Sequence, residues 1–168
     1  PYIPVTCNGG YVMRAWYDII SLEPHSRRID EAGIVASCAA TRRLIARENA
    51  RGIPVDRIFL AGFSQGGAVA YTTALTYPEA LAGVIALSTY IPSPALLARE
   101  ASEANRAISI LAAHGTQDDV VSPALGRAAR DFLTQHDYAI EWHEYPMPHS
   151  LCIEEVRLIG RWLRARLA

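Results

Sequence analysis

Residues 57–70 read Arg-Ile-Phe-Leu-Ala-Gly-Phe-Ser-Gln-Gly-Gly-Ala-Val-Ala, a strand signal, a tight turn and a helix signal in immediate succession. The apolar residues up to Phe63 predict a buried strand over 57–63, and a helical pattern runs from Gly66 to about Tyr77. The turn between them, Gly-Phe-Ser-Gln-Gly, matches the G-x-S-x-G pattern of a serine on a sharp strand-to-helix turn. Small residues are needed on both sides of such a turn, and Gly62 and Gly66 supply them.

This turn predicts a nucleophile. It would raise the hydroxyl of Ser64 above the edge of the sheet. The N–H of Gln65 would lie at a helix N-terminus, where a developing oxyanion is stabilised.

Composition limits the classes of protein that the chain can be. Its 168 residues suit one domain, 1–168, and a net charge of −1 gives no electrostatic case for binding nucleic acid. No apolar run is long enough for stable membrane insertion, and the start of the chain lacks the features of a signal peptide. The cysteines Cys7, Cys38 and Cys152 show neither paired nor metal-ligand spacing. Free thiols favour a cytoplasmic protein, with a processed exported protein as the alternative.

The first half of the chain contains a long irregular segment and a helix. Residues 1–28 show no regular period, and their aromatic side chains are expected either to wall a pocket or to cover the core. Residues 30–51 predict a helix capped by Asp30 or Ser26. Its apolar stripe is expected to consist of Ile34, Val35, Cys38, Ala39, Leu44 and Ile45.

The second half alternates strands and helices. Strands are predicted over 81–88, 107–113 and 138–145, and helices over 95–103, 123–135 and 152–167. The last helix is expected to bury Ile153, Val156, Ile159, Trp162 and Leu163 on one face. This alternation predicts an α/β fold with a mostly parallel sheet flanked by helices and a site at the carboxyl ends of the strands.

Three residues with catalytic chemistry each follow a predicted strand: Ser64, Asp118 and His149. Their order along the chain is that of an α/β-hydrolase triad. Ser64 would attack, His149 would move the proton, and Asp118 would orient the imidazole. Asp119 is an alternative to Asp118, and His114 precedes the acid and so is the wrong base by order. The other histidines, His25, His136 and His143, are expected to be structural or solvated.

Several motifs together resemble the bacterial carboxylesterase and acyl-protein thioesterase family, also described as the phospholipase/carboxylesterase family. They lie at residues 8–19, 62–68, 86–92, 114–121 and 145–149. The resemblance implies an α/β-hydrolase fold, a triad acid at Asp118, and hydrolysis of carboxylic esters of short to medium acyl chains. It also implies that no metal or organic cofactor is used. Some relatives cleave thioesters of acylated proteins or lysophospholipids.

Two departures from the family pattern carry consequences. Pro148 stands where the family usually has glycine, which stiffens or re-aims the histidine loop. No His-Gly-Leu-Gly-type loop, the family's source of a second oxyanion donor, precedes residue 8, so the fold is expected to be N-terminally truncated. The strand over 57–63 would then have an open apolar edge. A homodimer contact, another segment, or a chain that is a fragment would account for it.

The sequence leaves two classes of function open. The leading hypothesis is a serine hydrolase that acts on a small-molecule ester through an acyl-enzyme. The alternative is a truncated, weakly active relative that binds an acyl ligand or a partner protein. In the enzyme, Trp16, Tyr17, Tyr90 and Ile91 would line an acyl pocket.

Overall fold

The computed structural model describes residues 1–21 and 30–167. The chain begins with an antiparallel hairpin of β1 (Tyr2–Val5) and β2 (Tyr11–Arg14). The expectation of an irregular segment is therefore wrong for these residues. Gly9 and Gly10, with φ of 65° and 76°, make the turn, a conformation that glycine adopts without steric cost.

The main sheet contains four parallel strands in the order β3-β4-β5-β6. These are β3 (Phe59–Phe63), β4 (Gly83–Leu87), β5 (Ile110–Gly115) and β6 (Ile140–Tyr145). The helices are α1 (Glu31–Ala50), α2 (Gln65–Leu75), α3 (Pro94–Glu100), α4 (Pro123–Gln135) and α5 (Ile153–Leu167). The predicted alternation is confirmed. Because all four strands run in one direction, the loops that follow them meet at one edge of the sheet.

The core lies on both faces of this sheet. Every residue of β4 and β5 is buried, whereas β3 and β6 at the sides are partly exposed. One face of the sheet carries a cluster that includes Leu75, Val84 and Ile110, and the other carries a cluster that includes Leu111 and Trp162. Continuous apolar strands buried on both faces are typical of parallel sheets.

Helix α1 has nearly the predicted bounds, but part of its predicted apolar stripe is exposed. Asp30 caps it by accepting a hydrogen bond from the Gly33 N–H at 2.9 Å; Ser26, the other candidate cap, lies outside the described residues, as does His25. Of the predicted stripe, Val35 and Leu44 are about half exposed and Ala39 is exposed as well, so the prediction is wrong for these three residues. Leu44 faces a groove beside β3, where no other described strand pairs with this edge of the sheet.

Helix α5 presents a different face from the one predicted. Ile153 and Val156 are exposed, so their expected burial is wrong. The inward face instead runs through Glu155, Ile159 and Trp162, at the spacing of successive turns of a helix. A carboxyl group is therefore buried at the start of this helix.

None of the helices in the described ranges has the length and apolar character that a membrane span requires.

Candidate active site

The turn after β3 has the geometry that its sequence predicts. Ser64 has φ of 55° and ψ of −123°, a backbone conformation that a non-glycine residue rarely adopts. A side chain at position 62 would overlap the carbonyl group of Gly66, so the turn requires glycine there. The strained Ser64 is held between the end of β3 and the start of α2, at the edge where the strands end.

Thr89 fixes this turn, although no sequence motif singled this residue out. Its hydroxyl donates to the Ser64 carbonyl at 2.6 Å, and the Ser64 N–H donates to the Leu87 carbonyl at 2.9 Å. A side chain on Gly67 would approach the Thr89 Cβ to 2.7 Å, so the two backbones pack closely. The available signal was its position directly after β4, at the same edge of the sheet as Ser64.

Asp118 lies in the loop after β5, and its side chain is fully buried. Its Oδ1 atom accepts hydrogen bonds from the N–H groups of Val120 at 3.0 Å and Val121 at 2.8 Å. Its Oδ2 atom is 2.7 Å from His149 Nδ1. Between the two neighbouring aspartates, the geometry thus selects Asp118 over Asp119 as the partner of the imidazole.

His149 lies in the loop after β6, and its side chain is 15% exposed. Because a carboxylate accepts from Nδ1, the imidazole carries its proton there and leaves Nε2 free as an acceptor. The ring packs on Phe63, the residue before Ser64, with 4.6 Å between ring centroids. The fold therefore brings the imidazole to the turn that carries the serine hydroxyl.

The Asp118 and His149 loops are joined through their backbones. The N–H groups of Thr116 and Gln117 donate to the carbonyls of Tyr145 at 2.8 Å and Met147 at 3.1 Å. Gly115 packs so tightly on Met147 that a side chain there would overlap the Met147 carbonyl. This contact sets the Asp118 and His149 loops at a fixed spacing, and it includes the residue before Pro148.

The other described histidines lie in structural or solvated positions. His114 is fully buried, and its Nε2 donates to the Val121 carbonyl at 2.8 Å, which supports the Asp118 loop. His136 bonds to the Phe132 carbonyl, and His143 lies beside Glu141 near the surface.

Gln65 contributes more than its N–H at the start of α2. Its side-chain Oε1 accepts from the Trp16 N–H at 3.1 Å, and its Nε2 donates to the Tyr17 carbonyl at 2.9 Å. The side chain therefore ties the segment after the hairpin to the turn that carries Ser64. The backbone N–H belongs to the first turn of the helix, where N–H groups have no partner within the helix.

A cleft of about 500 Å³ opens beside Ser64. The hairpin and the loops after β4 and β5 line it with mainly apolar side chains, including Met13, Trp16, Ile19, Tyr90 and Val121. Two of the four predicted pocket residues thus lie in the wall. The other two are buried deeper: Tyr17 is 2.7 Å from Tyr90 between hydroxyl oxygens, and Ile91 packs in the core.

Among the described residues, no group of three or more histidine, cysteine, aspartate and glutamate side chains is arranged to hold a metal ion. The thiols of Cys7, Cys38 and Cys152 are all free.

The parallel sheet with a strained serine turn after one strand defines an α/β-hydrolase fold. The sequence matches the phospholipase/carboxylesterase family over residues 1–167. An acyl-protein thioesterase 1 of Neurospora crassa is 42% identical over 174 residues, covering 99% of this chain and 71% of the relative. That of Mycosarcoma maydis is 40% identical over 176 residues, covering 97% of this chain and 73% of the relative.

A solved structure of a relative supports the same fold and family. The crystal structure of SOBER1 of Arabidopsis thaliana superposes with a TM-score of 0.94 at 34% identity, covering 100% of this chain and 81% of the other. The relative is named carboxylesterase SOBER1. The chain therefore belongs to the phospholipase/carboxylesterase family and is a hydrolase of the carboxylesterase and thioesterase class. These relatives are fungal and plant proteins, so the expected restriction to bacterial members is corrected.

Proposed function

We propose that this chain is a serine hydrolase that cleaves carboxylic esters of short to medium acyl chains through Ser64, His149 and Asp118. The observation that carries the proposal is the 2.7 Å contact between His149 and the buried Asp118, at the sheet edge that also presents Ser64. An ordinary serine hydroxyl is a weak nucleophile, and an oriented imidazole is the group that activates it.

The reaction would proceed in two halves. The Ser64 oxygen bonds to the ester carbonyl carbon while its proton moves to His149 Nε2, and Asp118 stabilises the imidazolium through Nδ1–H. The imidazolium then gives its proton to the departing alcohol, which leaves an acyl-serine. Water, deprotonated by His149, attacks the acyl carbon, and the proton returns to Ser64 as the acid is released.

The tetrahedral intermediate requires hydrogen-bond donors for its oxyanion. The Gln65 N–H, at the start of α2, is one proposed donor. A hole that lacks one of its donors loses about 100- to 1,000-fold in turnover. A chain with this donor alone would thus catalyse ester hydrolysis slowly but measurably. Measurable turnover therefore distinguishes a weak enzyme from a protein that only binds the ester.

A thioester substrate is the second candidate for the same site. Two relatives carry the name acyl-protein thioesterase 1, and the apolar cleft suits an acyl chain whichever atom leaves. A lysophospholipid is a further candidate with the same acyl group. The free thiols support a cytoplasmic location, where such groups stay reduced. The proposed reaction requires a small-molecule ester as its substrate and requires no cofactor.

Hydrolysis of a matched pair of substrates tests the proposal. An oxygen ester and a thioester with the same eight-carbon acyl group are compared for wild type, Ser64→Ala and Ser109→Ala. Ser109 precedes β5 at the opposite end of the sheet, which makes its variant the control. Turnover that Ser64→Ala reduces to background and Ser109→Ala preserves is the expected result. Equal rates for wild type and Ser64→Ala would reject the proposal in favour of a binding protein.

A further inference from the structure

Glu155 is a buried carboxyl group that the proposed reaction does not use. It lies in the first turn of α5, six residues after His149, and its exposed fraction is 0%. Within the described residues, neither carboxyl oxygen has a partner at full hydrogen-bond geometry, although the Cys152 N–H lies close enough to favour the ionised form. A buried polar group without a partner is costly, and an ionised one is more so.

The surroundings of Glu155 are apolar. The inward face of α5 continues through Leu158, Ile159 and Trp162, which pack on the sheet. On the strands, this face meets Leu87, Leu111 and Ala113 among other apolar residues. No basic side chain in the described part of the chain forms an ion pair with Glu155. The neutral form of the carboxyl is therefore the one that suits the site.

The titration of this carboxyl reflects its burial. Burial raises the pKa of Glu155 to about 7, and the Cys152 N–H partly offsets that rise. From β6, the Tyr145 phenol, whose own pKa burial raises, is influenced by Glu155, by the Cys152 thiol, by Glu154 and by Arg161. Cys152 is thus close to Glu155 through its backbone N–H, and its thiol acts on Tyr145.

Cys152 links Glu155 to the imidazole. Residues 150–152 connect His149 to α5, and the Val156 N–H bonds back to the Cys152 carbonyl at 3.1 Å. The other side of His149 is held at Met147 by the backbone contacts with the Asp118 loop. The connection at 150–152 is therefore the side on which the start of α5 can move the imidazole.

We propose that Glu155 is a positioning residue for His149: its neutral carboxyl lets residues 150–152 keep their path from His149 into α5, and loss of its proton displaces them and turns the imidazole away from Ser64. The role in activity rests on the proposed function. The role in loop geometry does not, since it concerns residues 150–152 whether or not the chain hydrolyses ester. The ionised carboxylate would seek water or further N–H groups, and the loop is what can give way.

The first measurement follows the loop directly. Amide ¹H–¹⁵N shifts of residues 150–152 are recorded from pH 5 to 9 in a His149→Gln background, which removes the imidazole's own titration. Shifts that titrate near pH 7, and that stop titrating when Glu155→Gln or Glu155→Met is added, are expected. Glu154→Gln, an exposed neighbour, is the control and should leave the titration in place. Amides that titrate equally in all four proteins, or in none, would overturn the proposal.

The second measurement follows activity. We expect the kcat/KM of wild type to fall up to about tenfold per pH unit above the titration, the slope of a single essential group. Both neutral variants should keep their activity to pH 9, whereas Glu155→Asp should keep the fall. Ester turnover with the same alkaline fall in the neutral variants contradicts the positioning role alone. Absent turnover with a titrating loop contradicts the proposed function alone.

Discussion

The backbone of Ser64 is held in an unfavourable conformation by hydrogen bonds with the residues around it. The Thr89 hydroxyl bonds to the Ser64 carbonyl at 2.6 Å from the end of the adjacent strand, and Thr89 is 4% exposed. Strained positions persist only where the surrounding structure determines them. Thr89 therefore contributes to the nucleophile turn although it touches no reacting atom.

Replacing Thr89 with valine should weaken this turn. The Thr89→Val variant keeps the branched shape but removes one of the three hydrogen bonds to the Ser64 carbonyl, which still accepts from the N–H groups of Gly67 and Ala68. The expected cost is about 0.5–1.5 kcal/mol, the net value of one hydrogen bond. We expect both the free energy of unfolding in urea and the rate of ester turnover to fall. The control is Thr134→Val, which removes a hydroxyl that bonds to a backbone carbonyl at an exposed site on α4. Equal, small losses in both variants would contradict the role of Thr89.

Glu155 gives the stability of the protein a definite pH dependence. Its pKa is about 7 in the folded protein and near 4.5 when unfolded, so the folded state holds the proton more tightly. The contribution of this tighter proton binding to the free energy of unfolding is complete below pH 4.5 and is lost as the pH rises through 7. Glu155→Gln should thus match wild type at pH 4.5 and exceed it by about 2–3 kcal/mol at pH 8.5. Thermal unfolding at the two pH values measures this, and a pH-independent difference would contradict it.

The candidate site was largely predictable from single residues, and the reason is topological. Ser64, Asp118 and His149 each follow a strand, and parallel strands deliver such positions to one edge. The residues alone left the choice between Asp118 and Asp119 open, and only the family resemblance pointed to Asp118, because the choice depends on the N–H groups of Val120 and Val121 in the folded loop. A sequence does not show which of two adjacent side chains a turn points inward.

The hairpin of β1 and β2 depends on Gln65 for its attachment to the sheet. The Gln65 amide bonds to the backbone of Trp16 and Tyr17, directly after the hairpin. The hairpin supplies part of one wall of the cleft. Its position should therefore affect substrate binding more than chemistry.

Gln65→Ala should separate these effects. The variant keeps the backbone N–H proposed for the oxyanion but loses both side-chain bonds, each with a net value of about 1 kcal/mol. We expect KM to rise several-fold with kcat within about twofold, and faster cleavage by trypsin after the exposed Arg14. Gln135→Ala, at the exposed end of α4, is the control. A loss confined to kcat would contradict a role in holding the hairpin.

Helices and strands differed in how well the sequence predicted them. The central strands were clear because buried parallel strands are continuous apolar runs. The hairpin was missed because Pro4 and the glycines hide a short exposed pair whose register depends on its turn. The inward face of α5 was mistaken because apolar residues were assigned to the core, whereas Glu155 occupies it. Such exceptions to the apolar rule are informative about function.

The two edge strands of the main sheet, β3 and β6, differ in how open they are to pairing with another strand. β6 carries exposed acidic side chains, including Glu141, which discourage strand pairing. β3 has no other described strand on its outer side, where a groove of about 380 Å³ is lined by apolar residues such as Leu44 and Leu60. We propose that this side pairs with a second copy of the 168-residue chain in solution.

A charge at the open side should prevent that pairing. Ala61 is exposed on β3, and Ala61→Lys places an ammonium group at the edge. Sedimentation velocity at micromolar concentration should show a dimer for wild type and for the control Ala107→Lys, whose exposed site lies before β5. Ala61→Lys should sediment as a monomer. A monomeric wild type would contradict the homodimer.

Covalent labelling by a fluorophosphonate tests the account most directly, because the reagent reacts with a serine that an oriented imidazole activates. Mass spectrometry of the intact, folded protein and of its peptides should locate one adduct on Ser64 in wild type. Labelling should be abolished in Ser64→Ala and slowed by about 10³-fold or more in His149→Ala. A folded wild-type protein that takes up no label, or that labels equally fast without the imidazole, would contradict the catalytic assignment.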